Sequence, residues 1–333
     1  MFSPAVMKAL LSTFILCCVM PCALFCQKKP VIETTDIDHF WKAYDHLSAA
    51  TSTADSINII QQEYFDAATP YFKKFIKARD FTPEEYLGLI RACPRFWKSI
   101  RPLTERIAGR KNEIENIFDR LNDSLPAFRR PDICFAIGCL RTGGTTSSDL
   151  ILVGAEIAAA DATVDKTELN DWLRSVLGST GDIVSMVAHE SVHTQQKGFP
   201  FFEIFSVLGH KKLTLLNMAI VEGSADFFTK KFLGLNINAG IYDYGEAHQC
   251  ALWKEFEQDI HESPFDYSKW LYNGNNAKGR PADLAYYIGY KITESFYIQE
   301  TNKPKAVKVI LRRGQYRQVY RGSDFQEKSC EGI

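Results

Sequence analysis

The sequence predicts a predominantly helical α+β protein with one small sheet, and three observations carry that reading. Apolar residues recur at intervals of three and four through residues 36–125, as in Ile59, Ile60, Tyr64, Phe65 and then Tyr71, Phe72, Phe75, Ile76. Two β-rich runs follow, Ile133-Cys134-Phe135-Ala136-Ile137 and Leu150-Ile151-Leu152-Val153. They are joined by Gly143-Gly144-Thr145-Thr146-Ser147-Ser148 and read as a hairpin or as two adjacent strands. Beyond them an apolar run (Ile183, Val184, Met186, Val187, Ala188) leads into His189-Glu190-Ser191-Val192-His193, on a helix beside that sheet.

The chain opens with a single Lys8 and an apolar run from Ala9 to Phe25, which reads as a secretory signal over residues 1–26. Export to the periplasm, the outer membrane or the medium is the expectation. Cys26 offers lipid attachment to a membrane, although Phe25 stands where a lipidation signal wants a small residue; simple cleavage and a retained anchor are the alternatives. Residues 27–130 form an N-terminal helical region, in which Thr82-Pro83-Glu84-Glu85 signals a helix start. Its entry aromatics Phe40, Trp41 and Tyr44 sit at helical spacing and read as core rather than a ligand box.

Residues 131–333 form the second region. The Gly143-Gly144 pair lacks the Lys-Ser/Thr and the following helix of a phosphate cradle, so it reads as turn chemistry. Ser179 and Asp182 make an S-x-x-D start for a histidine helix of about five turns. Leu213 to Leu233 is helical by pattern, with Gly234 as its C-cap. Helical runs follow from Leu252 to Ile260 and from Arg280-Pro281 through Tyr290, then a short helix and a basic tail over 307–333.

With 39 basic and 40 acidic residues the chain is near neutral and shows no basic stripe with interleaved aromatics, which argues against nucleic acid as a partner. Four of nine cysteines lie in the leader. The other five (Cys93, Cys134, Cys139, Cys250, Cys330) are odd in number without C-x-x-C spacing. They read as free buried thiols, with a Cys134–Cys139 pair as the alternative.

The chemistry concentrates on the histidine helix. His189 and His193, four apart, turn both imidazoles to one point, and Glu190 can reach a water held there. Two nitrogen ligands, an open position and a carboxylate base are what a zinc hydrolase needs. Glu222, inside an apolar helix, is the candidate third ligand, since burying it alone is costly. Gly223 and Ala225 remove bulk, so another helix can approach. Asp226 shares the face of Glu222 and could fix the tautomer of a ligating histidine. The plainer readings are a core helix with two histidines and a surface salt-bridge Glu222. Tyr286 or Tyr290, four apart on one face, is the candidate donor to a developing oxyanion, with His248 a further choice and simple packing the alternative. Arg280 could hold a substrate carboxylate or pair with a local acid, and Glu156 is structural or cleft-lining. A strand beside the helix could pair with an extended peptide.

H-E-x-x-H followed by a helix carrying E-x-x-x-D resembles the gluzincin metallopeptidases. Phe199, six residues after His193, excludes the metzincin pattern, and the long interval to Glu222 leaves room for a Phe-rich insertion. That resemblance implies a zincin-like catalytic core in residues 131–333. It also implies one Zn2+ held by His189, His193 and Glu222, Glu190 as general base, and Asp226 supporting a ligand. More of the chain (Asp38-His39-Phe40-Trp41-Lys42-Ala43-Tyr44-Asp45, Gly143-Gly144-Thr145, Leu152-Val153-Gly154-Ala155-Glu156 and Arg280-Pro281-Ala282-Asp283-Leu284-Ala285-Tyr286-Tyr287-Ile288-Gly289-Tyr290) resembles two bacterial groups, the predicted zinc-dependent proteases and the gliding-motility lipoprotein B-like proteins. The expectation is therefore an envelope or secreted metallopeptidase acting on peptide or protein substrates. The alternative is a catalytically silent lipoprotein serving motility or assembly on the same fold.

Overall fold

A computed structural model describes residues 29–178, 182–197, 214–260, 268–325 and 330; the leader with Cys26, Ser179 and the 199–210 segment lie outside them. Six helices build the N-terminal region: α1 (Thr35–His46), α2 (Thr53–Ile60), α3 (Pro70–Arg79), α4 (Pro83–Ala92), α5 (Pro94–Glu105) and α6 (Lys111–Ser124). Their starts follow local chemistry. Thr69 and Thr82 accept from the backbone N–H of Phe72 and Glu85, each with a proline at the first helical position. Phe40 and Trp41 are buried, with Phe40 4.9 Å from Trp41 and 5.3 Å from Trp97, so the entry aromatics are core. Tyr64 and Tyr86 both donate to the Ile137 carbonyl, at 2.8 and 2.5 Å, and pin this layer to the sheet.

The sheet holds β1 (Ile32–Glu33), β2 (Asp132–Ala136), β3 (Gly144–Ser147) and β4 (Leu150–Gly154) in the order β1-β2-β4-β3. The two apolar runs are neighbours, but parallel ones: Ile133 pairs with Ile151 and Phe135 with Val153. The hairpin is β3–β4, so of the stretch expected to be a turn Gly144 to Ser147 is a strand, while Gly143 is a bend just before it. Its outer edge carries no partner strand among the described residues. Both β2 and β4 are buried along nearly their whole length, as their unbroken apolar runs require. β1 comes from the N-terminal region, so the sheet is shared by the two halves of the sequence.

After β4 come α7 (Ala155–Ala158), α8 (Asp171–Val176), α9 (Ile183–Gln195), α10 (Leu215–Phe228), α11 (Ala239–Ala247), α12 (Gln249–Asp259), α13 (Ala285–Gln299), α14 (Lys303–Ile310) and α15 (Tyr316–Arg321). The histidine helix α9 has 13 residues, shorter than five turns, because Asp182 is itself the cap and accepts from the N–H of Val184 and Ser185. α10 continues as a π-helical turn (Thr229–Leu233) and stops at Gly234 with φ 69°. α13 begins at Ala285, not at Arg280-Pro281, because Asp283 adopts a left-handed conformation (φ 62°) just before it.

α10 and α13 cross almost in backbone contact. A Cβ on Gly223 would stand 2.0 Å from the Tyr290 nitrogen, and one on Gly289 would stand 1.7 Å from the Ala219 carbonyl oxygen. Gly223, beside Glu222, therefore serves the close approach read from the sequence. Gly289→Ala is expected to cost about 3 kcal/mol or more, since rigid backbone must move. Chemical denaturation measures the loss, and an unchanged midpoint would contradict the close crossing.

Glu156 is wholly buried and accepts from the N–H of Gly138 (2.8 Å) and Leu140 (2.7 Å). It clamps a loop in which Cys139 (φ 58°) and Leu140 (φ 53°) are both left-handed, a conformation that costs free energy without glycine. Burial pushes its carboxyl up to about 7 from 4.5. Below pH 4.5 the folded and unfolded chains are both protonated there. Between 4.5 and about 7 only the unfolded chain ionises, so stability falls as pH rises, by about 3 kcal/mol in all. Glu156→Gln is expected to flatten that part of the stability-versus-pH curve.

Cys250 and Cys330 form a disulfide, which corrects the reading of five free thiols; their separation of 80 residues hid the pairing. Cys93, Cys134 and Cys139 are free and buried. No helix among the described residues is long and apolar enough to cross a membrane.

Candidate metal site and its cavity

α9 and α10 bring three donors to one point. His193 Nε2 lies 3.0 Å from His189 Nε2 and 3.1 Å from Glu222 Oε2, and His189 Nε2 lies 3.5 Å from that same oxygen. His189 and Glu222 are buried and His193 nearly so. Both imidazole tautomers are set from behind. Asp226 Oδ1 accepts from His189 Nδ1 at 2.6 Å. Gln196 donates its amide to the Val221 carbonyl (2.8 Å) and Ser224 Oγ (3.0 Å), which turns its oxygen to His193 Nδ1 at 3.0 Å. With both Nδ1 atoms protonated, both Nε2 atoms present lone pairs, and they face each other and a carboxylate oxygen.

Three lone pairs aimed at one point repel unless a cation lies between them. A tetrahedral zinc with bonds of about 2.1 Å sets its donors about 3.4 Å apart, so separations of 3.0–3.5 Å fit it. Glu222 offers one oxygen only, because its Oε1 accepts from Tyr272 Oη at 2.6 Å. Burial disfavours an imidazolium at His189, but Asp226 and Glu222 outweigh it and hold the pKa well above the usual value. Burial likewise opposes ionisation of Glu222, yet His193 and His189 hold its pKa well below the carboxylate range. The pocket selects positive charge at its centre.

Glu190 sits beside this cluster with no hydrogen-bond partner among the described residues, against the edge strand. A Cβ on Gly144 would stand 2.5 Å from its Oε1, so only glycine lets the carboxylate lie on β3. Burial pushes its pKa up, opposed by His193, His189 and Arg79. The cluster opens into a cavity of about 1080 Å3 whose walls include Thr145 and Thr146 of β3, Tyr272, Tyr286 and the arginines 79, 141 and 313.

The remaining expected site residues divide. Tyr286 lines the cavity, its ring stacked on His189 at 6.1 Å and 19°, and burial holds its hydroxyl well above the usual pKa. Tyr290 does not line the cavity. Its ring packs on Phe227 and Tyr242 and its hydroxyl meets Glu294 at 3.3 Å, because one helical turn plus the glycine crossing directs it elsewhere. His248 is exposed and stacked on Tyr244 at 4.0 Å, away from the cluster. Arg280 pairs with Glu255 at 2.7 Å and lies over Trp270, the local-acid alternative. Sequence reasoning missed Gln196, Tyr272 and Tyr242, whose hydroxyl donates to Asp226 at 2.7 Å. Gln196, three residues after His193 at the helix end, was within reach of the pattern; the two tyrosines had no signal.

No curated protein and no solved structure is detectably similar to the chain. Residues 171–312, which carry α9, α10 and α13, match the family model described as "Predicted Zn-dependent protease (DUF2268)".

Proposed function

We propose that the chain is a zinc-dependent metallopeptidase, with one Zn2+ per chain held by His189, His193 and Glu222 in a zincin-like core. The observation that carries this reading is the convergence of three lone-pair donors beside an otherwise unpartnered carboxylate, at the mouth of a cavity. The family description and the small sheet with an antiparallel edge strand support it. Zinc bound there supplies Lewis acidity, which lowers the pKa of water and polarises a carbonyl.

The chain's own residues supply the rest. The free edge of β3 pairs with an extended peptide and lays its scissile bond over Glu190. A Glu190 carboxylate oxygen takes a proton from the attacking water; the water oxygen bonds to the carbonyl carbon, and the proton passes to the leaving amine as the C–N bond breaks. Asp226 and Gln196 keep both imidazoles in the right tautomer. Tyr286, protonated at neutral pH, donates its hydroxyl to the developing oxyanion. Tyr286→Phe is expected to lower kcat roughly 100-fold with KM little changed; an equal fall in both, or none, would remove that role.

Peptide or protein is the substrate and nucleic acid is not. Export fits the Cys250–Cys330 disulfide, which needs an oxidising compartment to persist. The test is turnover of casein or a peptide library by purified protein, with metal analysis in parallel. Activity lost to a chelator and restored by zinc is expected. Full zinc with no turnover would leave the silent envelope role instead.

A further inference from the structure

The cavity wall holds a cation that the chemistry above does not use. Of its three arginines, Arg141 is paired with Glu85 (3.2 Å) and Arg313 reaches the Gln196 oxygen (3.5 Å). Arg79, the last residue of α3, has no carboxylate within ion-pairing distance among the described residues. Its Nη2 donates to Thr142 Oγ1 at 3.1 Å, and its Nε is buried without any partner. The Glu190 carboxylate acts on this half-buried guanidinium only from beyond ion-pairing distance, so the fork keeps hydrogen-bonding capacity towards the cavity, and a carboxylate fits it in two parallel hydrogen bonds.

The position of this fork along the substrate path follows from the sheet. Thr142 Oγ1 accepts from Arg79 and donates to the Gly144 carbonyl at 2.8 Å, and Gly144 lies against the Glu190 carboxylate. Arg79 therefore stands just past the Gly144 end of β3. A peptide pairing antiparallel to β3 runs from the Ser147 end towards Gly144, crosses Glu190, and continues to Arg79. The part beyond the scissile bond meets the guanidinium. A parallel peptide would bring its ammonium end there instead, where like charges repel.

We propose that Arg79 holds the free C-terminal carboxylate of the substrate, so that the cavity releases a C-terminal amino acid or dipeptide rather than cutting inside chains. This deepens the peptidase reading and rests on it. Arg79 is a specificity-determining residue contributed by the N-terminal helical region, outside residues 171–312.

The test uses the full mature chain loaded with zinc and one peptide library made with free C-terminal carboxylates and again with C-terminal amides, read by mass spectrometry. Wild type is expected to shorten the free acids from their C-terminal end with kcat/KM roughly 10- to 100-fold above the amides. Arg79→Gln is expected to bring that ratio towards one, chiefly through KM on the acids, and Arg79→Lys to keep part of it. A residue that merely ties α3 to Thr142 would lower both libraries together. Equal cleavage of both libraries, internal cuts, or a ratio that survives Arg79→Gln would overturn the proposal and leave the peptidase reading standing. Calorimetric binding of N-acetyl-trialanine and its amide to the Glu190→Gln protein gives the ratio without turnover. If no chelator-sensitive hydrolysis is found, the peptidase reading fails alone, and that binding ratio still decides for or against Arg79.

Discussion

Glu190→Gln is expected to lower kcat on any cleavable peptide by roughly 10³-fold or more while leaving bound zinc unchanged. The amide fills the same volume against Gly144, and the carboxylate it replaces makes no hydrogen bond to the three converging donors among the described residues, so the metal site is expected to keep its shape. What is lost is a carboxylate able to take and return a proton. Folding stability should not fall, because the replaced group is a buried acid without a hydrogen-bond partner whose ionisation burial already opposes. Metal analysis, peptide turnover and a thermal melt on one preparation read all three. If the variant cleaves as fast as wild type, Glu190 is not the base. If zinc is lost with activity, Glu190 belongs to the metal site's architecture.

Glu222→Ala is expected to weaken zinc binding roughly 100- to 1000-fold, taking structural zinc's binding free energy as shared among its ligands. The two imidazoles remain, held by Asp226 and Gln196, but the third donor and its negative charge are gone. Tyr272 loses its acceptor as well. The metal-free variant is also expected to be less stable than metal-free wild type, since the buried carboxylate that favours the charged form of His189 and accepts from Tyr272 is gone. Added zinc should raise the melting temperature of wild type and much less that of the variant, because a ligand stabilises in proportion to its affinity for the folded state. Unchanged stoichiometry and an unchanged zinc-dependent shift would exclude Glu222 as a ligand. The variant separates cleanly from Glu190→Gln, since one should lose metal and the other only turnover.

Much of this site was legible because helices bring residues four apart to one face regardless of their surroundings. His189 and His193 needed only that rule, and Glu222 with Asp226 needed it once more on the second helix. The glycine at 223 announced a close neighbour, which proved to be Gly289. The oxyanion candidates show where the rule stops. Tyr286 and Tyr290 share a face by spacing, yet the close crossing at Gly289, where no Cβ would fit, sets the helix so that only Tyr286 lines the cavity. The stretch after Gly143 misled for a related reason: Gly144 serves the Glu190 carboxylate from a strand, a contact with a helix 46 residues on that local turn chemistry does not reveal.

The sequence by itself determined a mostly helical chain with a small sheet and a histidine helix whose spacing turns two imidazoles to one point, because these depend on local backbone geometry and on burial. Only the tertiary structure decided that the strand beside Glu190 is the sheet's antiparallel edge, that Gln196 and Tyr272 complete the cluster, that Cys250 meets Cys330, and that Arg79 enters the cavity from a distant helix. Most of those contacts join segments tens of residues apart, and packing alone, not periodicity, says which distant side chains share a volume.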